Sequence, residues 1–225
     1  MLQVLYGGTF DPVHNGHLAI ARAAHDMFDV PIRLMPAADP PHRAPPGATA
    51  AQRVHLLDLA VQEWPGLCVD RRELERAERD PGARSYTVDT LRELRQECGE
   101  ALPVALLIGA DSLLGLPAWK AWSELFDLAH FIVADRPGSG LDAGFTPVLA
   151  AALEGRWTDQ PADLHRSPAG CVYRLHQPLQ PESATEIRRR IGADEAWRHL
   201  VPAAVADAIA DERLYVPRAV DAGPL

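Results

Sequence analysis

The sequence predicts an α/β fold, a doubly wound parallel sheet with helices on both faces. Two observations predict it. Short apolar, β-branched runs alternate with amphipathic helical stretches along the chain, the pattern of parallel strands joined by right-handed crossovers. Apolar residues make up 47% of the 225 positions, enough for one substantial core. Residues 1–225 therefore read as a single domain, with an irregular excursion at about 137–170 and closing helices at about 183–215.

The elements follow in order. "LQVLYGG" at 2–8 is a first buried strand. From His17 to Phe28, the spacing of Ile20, Ala24, Met27 and Phe28 gives a helix with an apolar stripe. "VPIRLMPA" at 30–37 is a second strand, and the proline-rich "ADPPHRAPPG" at 38–47 a loop. Thr49 and Gln52 form a capping-box signature, opening a helix that buries Val54, Leu57 and Val61. "GLCVDRREL" at 66–74 fits a third strand. A helix runs from about Thr87 to a stop at Gly99.

"PVALLIGA" is the fourth strand, followed by a short helical region, and "HFIVADR" at 130–136 is the fifth. The Gly- and Pro-rich excursion holds one helix, opened by Thr146-Pro147. "CVYRLHQ" at 171–177 is the sixth strand, and "SATEIRRRIG" and "PAAVADAIADERLY" are the final helices.

Composition narrows the function. The net charge of −9 argues against a nucleic-acid backbone or an anionic membrane surface as partner. It leaves room for a small anion held by a local basic pocket. No apolar run approaches the roughly 20 residues that span a bilayer. Met1 leads straight into "LQVLYGG" with no leader pattern, and Cys68, Cys98 and Cys171 show neither a disulfide framework nor a zinc spacing. A cytoplasmic location is expected.

The stretch "GGTFDPVHNGHLAIA" at 7–21 carries the strongest chemical signal. Gly7 and Gly8 end the first strand and let a ligand approach the backbone. The following helix starts near His14, so its unpaired N–H groups and positive end point at the same place. His14 and His17 share a face of its first turn, suited to a phosphate. An H-x-x-H pair also suits a metal, with no third ligand close in sequence. In "SATEIRRR" at 183–190, a Ser183 or Thr185 cap with Arg188 one turn in makes a second anion site, or a plain basic helix. His42 and Arg43 sit on the proline-stiffened loop. Trp119 and Trp122 in "WKAW" suit either a core or a stacking platform. Two anion sites in one α/β chain suggest a polyphosphate.

"GGTFDPVHNGH" resembles the H-x-G-H signature of the nucleotidyltransferase superfamily, and "SATEIRR" its second signature, I-S-S/A-T-x-I-R. "MPAADPPHR", "SYTVDTL", "IGADSL" with "PAWKAW", "ADRPG" and "VPAAVADAIADERLY" resemble, in that order, the bacterial nicotinate-nucleotide adenylyltransferase family. The resemblance covers almost the whole chain. It implies a Rossmann-like fold and transfer of AMP from ATP to nicotinate mononucleotide, giving deamido-NAD and pyrophosphate, with Mg²⁺ carried mainly by the ATP phosphates.

It also implies residue roles. His14, His17 and Arg188 would be catalytic. Gly8, Thr9, Phe10, Gly109, Asp111, Arg136, Ser183 and Thr185 would bind ATP. His42, Arg43, Tyr86, Thr87, Val88, Trp119 and Lys120 would bind nicotinate mononucleotide, with Trp119 stacked on the pyridine. No residue is assigned to a metal. One position departs from the pattern: Glu182 stands where the family has Ile, and it is expected to point to solvent.

Such chemistry asks for position and charge only, since the attacking phosphate oxygen is already anionic. The alternatives are a nicotinamide-mononucleotide enzyme, another nucleotidyltransferase of the superfamily, or a catalytically silent nucleotide-binding module. His14 argues against pantetheine-phosphate adenylyltransferases, which carry Thr there.

Overall fold

A computed structural model of the chain describes residues 1–38, 46–82, 84–135, 141, 144–177 and 182–217. Its strands are β1 (Gln3–Gly8), β2 (Ile32–Pro36), β3 (Leu67–Val69), β4 (Val104–Gly109), β5 (His130–Ala134), β6 (Trp157–Thr158) and β7 (Val172–Leu175). The helices are α1 (Asn15–Phe28), α2 (Ala50–Val61), α3 (Arg72–Arg79), α4 (Thr87–Cys98), α5 (Ala110–Leu114), α6 (Leu125–Leu128), α7 (Pro147–Leu153), α8 (Asp163–Arg166), α9 (Ala184–Gly192) and α10 (Ala203–Asp211).

Among the described residues the strands form one sheet in the order β3-β2-β1-β4-β5-β7-β6, and every neighbouring pair is parallel. The chain winds outward from β1 to β3, returns to β4 on the other side of β1, and then runs to the far edge. The winding thus reverses between β1 and β4. In such sheets the crevice outside the carboxyl ends of those two strands is where ligands bind. Gly7 and Gly8 end β1 there, and Gly109 ends β4.

Period-two alternation divides each central strand between two cores. Val4 and Tyr6, Ala105 and Leu107, and Ile132 pack with residues of α1, α2, α9 and α10. Leu5, Leu106, Ile108, Phe131 and Val133 pack with residues of α4, α5, α6 and α7. Helices therefore cover both faces, as the alternation of elements predicts.

Three local expectations are corrected. The third strand stops at Val69 and not at Leu74. Asp70 Oδ1 accepts the Arg72 N–H at 3.1 Å and turns the chain into α3. Charged helix-formers follow, with Glu73 and Glu75 in the first turn and Arg76 and Arg79 in the last, matching the helix dipole. Met27 leaves the α1 stripe and is 42% exposed, since Phe28 already fills that end of the core. The excursion holds α8 and the two-residue strand β6 as well as α7, and both are too short to show a period.

Candidate active site

Gly8 and Phe10 set the turn after β1. Phe10 adopts a left-handed backbone, φ 50°, and its ring folds back under the strand end. A Cβ on Gly8 would lie 2.9 Å from Phe10 Cζ, so only glycine fits. The Phe10 ring meets His17 edge-on, with centroids 5.0 Å apart. Asp11-Pro12 is a cis peptide. His14 then caps α1 in an extended conformation and is buried. Its backbone N–H donates to His17 Nδ1 at 3.3 Å, and the two imidazoles stack 3.7 Å apart. With Nδ1 accepting, the neutral His17 ring carries its proton on Nε2.

Two charged residues that sequence reasoning missed hold this turn. Arg53 of α2 is 1% exposed. Its Nη1 donates to the Thr9 carbonyl at 2.7 Å and its Nη2 to the Ala38 carbonyl at 3.2 Å. Asp11 is buried, and its carboxylate accepts from the N–H of Gly47 at 2.7 Å, the N–H of Ala48 at 3.1 Å and the hydroxyl of Tyr215 at 2.9 Å. Only Arg53 left a trace in the sequence, a charged residue amid the apolar positions of α2. The partners of Asp11 lie at least 36 residues away.

The second motif reaches the same turn. Ser183 caps α9, its Oγ accepting the Glu186 N–H at 3.2 Å. Arg188, one turn in, donates from Nη1 to the Asp11 carbonyl at 2.5 Å and from Nη2 to Thr185 Oγ1 at 3.5 Å. The next two arginines face elsewhere. Arg189 bridges Glu186 and Glu195, and Arg190 pairs with Glu186. Both guanidiniums hold the Glu186 carboxyl down to about 2. Glu182 does not point wholly to solvent as expected: its Oε2 is buried and has no hydrogen-bond partner among the described residues. It stands directly before the cap of α9, where the positive helix end favours a carboxylate.

A cavity of about 310 Å³ opens beside this turn, at the carboxyl ends of β1 and β4. Gly8, Thr9, Gly109 and Asp111 line it, together with Tyr86, Thr87, Trp119 and Lys120. Among the described residues, nothing lies within 4 Å of where a Gly109 Cβ would stand. The two tryptophans part company: Trp119 lines the cavity, while Trp122 packs edge-on against Phe126 at 6.4 Å. Val88 is fully buried, but it is the second residue of α4, whose first N–H groups lack helical partners.

Two ion pairs join the α4 wall to the Trp119 loop. Lys120 Nζ donates to Asp89 Oδ2 at 2.8 Å and sits 4.5 Å from the Tyr86 ring centroid. Arg92 holds Glu124 through two hydrogen bonds of 2.7 and 2.6 Å. Glu73 of α3, also missed, lines the cavity while only 5% exposed. Its Oε1 accepts the Thr90 hydroxyl at 2.9 Å, and burial pushes its carboxyl above the usual range.

The structure thus brings Gly8, Thr9, Tyr86, Thr87, Gly109, Asp111, Trp119 and Lys120 to one cavity. Phe10, His14, His17, Thr185 and Arg188 gather around the adjoining turn. His42, Arg43 and Arg136 lie outside the described residues. The arrangement offers ring N–H groups, a guanidinium and two helix N-termini, which is equipment for holding anions.

A family model described as cytidylyltransferase-like matches residues 5–190. A Stenotrophomonas maltophilia protein is 60% identical over 95% of this chain and 96% of its own length. One from Xylella fastidiosa strain 9a5c is 47% identical with the same coverage. Both carry the name "Probable nicotinate-nucleotide adenylyltransferase". A Plasmodium falciparum nicotinic acid mononucleotide adenylyltransferase, solved in complex with NaAD, has a similar fold. Its TM-score is 0.72 at 13% identity, over 95% of this chain and 97% of that one.

Proposed function

The chain belongs to the cytidylyltransferase-like family and, within it, to the nicotinate-nucleotide adenylyltransferases, and from that membership we propose how its site works. The enzyme moves the adenylyl group of ATP onto nicotinate mononucleotide, releasing pyrophosphate and forming deamido-NAD. The observation that carries this reading is the meeting of the two anion motifs. Arg188 of α9 reaches the turn that holds His14 and His17, and that turn borders a cavity with an aromatic wall.

The mononucleotide's phosphate oxygen attacks the α-phosphorus of ATP in line, and pyrophosphate leaves. The nucleophile is already an anion, so the chain supplies no base and forms no covalent intermediate. Its work is to align two polyanions and to stabilise the charge that grows in the transition state. His17, with its proton on Nε2, donates to the α-phosphate oxygens together with His14 and the N-terminus of α1. Arg188, Ser183 and Thr185 take the outer phosphates. Gly8, Thr9 and Phe10 offer backbone groups, and Gly109, Asp111 and Arg136 line the adenosine side. Trp119 stacks on the pyridine, Tyr86 and Thr87 form its wall, and the N–H groups of Val88 and Lys120 hold the carboxylate. His42 and Arg43 belong over the reacting phosphates.

Among the described residues, no group of three His, Cys, Asp or Glu side chains is placed to hold a metal. The Asp11 carboxylate is engaged by two N–H groups and a hydroxyl. Mg²⁺ is proposed to enter with ATP, carried mainly by its phosphates, where it would screen their charge. The cytoplasm is the proposed location. Pyrophosphate release with ATP against a panel of nicotinate mononucleotide, nicotinamide mononucleotide and pantetheine phosphate tests the reading. Release is expected chiefly with the first. Release chiefly with another acceptor would reassign the substrate, and none above a no-enzyme blank would leave a nucleotide-binding module.

A further inference from the structure

Tyr215 lies 204 positions from Asp11 in the chain, beyond the end of α10, yet its hydroxyl reaches the Asp11 carboxylate. The C-terminal stretch arrives there under constraint. Arg213 and Tyr215 both adopt left-handed backbone, φ 51° and 64°, which non-glycine residues hold only when their surroundings over-determine it. Leu214 between them is buried in the core, and Glu212 accepts a hydrogen bond from Gln52 at 3.0 Å. Gly47 leaves room for the Tyr215 ring, since a Cβ there would stand 3.0 Å from Cδ1. Burial and the adjacent carboxylate push the phenol well above its ordinary range, so it is a donor at every working pH.

The contacts form a chain. Tyr215 and the Ala48 N–H share Asp11 Oδ1, the Gly47 N–H takes Oδ2, and Arg188 Nη1 lies 3.6 Å from Oδ2 while bonding the Asp11 carbonyl. Asp11 thus touches both the Tyr215 hydroxyl and the Arg188 guanidinium. We propose that Tyr215 is a positioning residue of the nucleotide site: through Asp11 it aims Arg188 at the outer phosphates of ATP, and the C-terminal stretch 212–217 is a working part of that site. The inference rests on the reading that Arg188 takes those phosphates.

The test is a double-mutant cycle on the full chain. It compares the parent, Tyr215→Phe, Arg188→Ala and the double variant. The readouts are calorimetric binding of α,β-methylene-ATP with Mg²⁺, and separately of nicotinate mononucleotide. Tyr215→Phe keeps the ring and loses the donor. It is expected to weaken analogue binding by roughly three- to tenfold, the scale of one hydrogen bond to a charged group partly replaced, with mononucleotide binding unchanged. In the Arg188→Ala background the same change is expected to add nothing. Gly47→Ala crowds the ring, its Cβ standing 3.0 Å from Tyr215 Cδ1 and in ordinary contact, 3.5 Å, with Arg188 Cδ, and it should repeat the pattern if Tyr215→Phe folds poorly. Unchanged analogue binding, additive losses, or equal weakening of both ligands would overturn the inference. A parent that binds the analogue but releases no pyrophosphate would sink the transfer reading alone, and a parent that binds no analogue would sink both.

Discussion

The backbone N–H of His14 donates to Nδ1 of His17 at 3.3 Å, with the two rings stacked 3.7 Å apart. This bond makes His17 part of the helix cap, beside its proposed work as a phosphate donor, and mutation can separate the two. His17→Ala loses both. It should cost about 1 kcal/mol of stability, the usual worth of a cap, and on the order of 10²–10³ in kcat, the usual worth of one preorganised donor. kcat and kcat/KM should fall together with KM little changed. His17→Asn can still accept the His14 N–H, so its melting temperature should return toward the parent's while most of the kcat deficit stays. An Ala variant with near-parental kcat would mean that His17 only caps the helix.

Arg53 is buried, and its two donors serve the carbonyls of Thr9 and Ala38. A buried acceptor left without its donor costs about 1–3 kcal/mol. Arg53→Met should therefore lower unfolding free energy by roughly 2–4 kcal/mol, among the larger single-residue effects. Arg53→Lys keeps the charge but cannot span both carbonyls, and it should fall in between. Urea denaturation measures both. A loss below about 0.5 kcal/mol for the Met variant, the scale of an ordinary surface change, would show that the turn holds itself.

These two residues mark how far the sequence could be read. The strands other than β6 were legible because each holds an apolar run bounded by turn residues, as in "VALLIG" of β4. The H-x-x-H turn and the Ser183 cap were legible because their geometry is local, within three residues. Arg53, Asp11 and Tyr215 were not, because each acts through a partner 15 to 204 positions away. Glu73 was hidden for another reason: "DRREL" continues an apolar strand, and only the turn at Asp70 sends it into a helix.

His130 gives stability a pH dependence. It is fully buried; the Cys171 N–H donates to its Nδ1 at 3.0 Å and its Nε2 faces the Ser167 carbonyl at 2.8 Å. One neutral tautomer satisfies both bonds, and a second ring proton would oppose the Cys171 N–H. Burial pushes its pKa below the ordinary value, and the positive charge of Arg95 adds to this. In the unfolded chain the imidazole titrates near 6.5. As pH falls through that value the unfolded state takes up a proton that the fold refuses, so stability is lost on acidification. His130→Gln cannot titrate. The parent's advantage over it should be full above about pH 7 and shrink by up to about 2 kcal/mol by pH 5. Denaturation of both at pH 7, 6 and 5 decides it, because other titrating groups cancel in the difference. An advantage that stays constant would mean that the fold accepts the proton.

Substrate choice should depend on two ion pairs at the edge of the proposed pyridine pocket. Asp89–Lys120 and Arg92–Glu124 join the first half of α4 to the Trp119 loop. They link the helix that carries the Val88 N–H to the loop that carries the Lys120 N–H, the two groups proposed to hold the nicotinate carboxylate. Hydrogen bonds to a charged group are worth about 1.5–3 kcal/mol each, so the anionic nicotinate should be preferred over neutral nicotinamide by at least about tenfold in kcat/KM. Equal rates would refute that use of the pocket. The pairs themselves are exposed and should add little to stability. Arg92→Ala should thus melt near the parent. If the pair fixes the gap between those N–H groups, KM for nicotinate mononucleotide should rise, KM for ATP should hold, and the preference over nicotinamide should narrow. The charge-assisted bonds are the ones that depend on a fixed distance, so the anionic substrate loses more than the neutral one. An Arg92→Ala enzyme with unchanged selectivity, or with both KM values raised alike, would reduce the pair to a solvated surface contact.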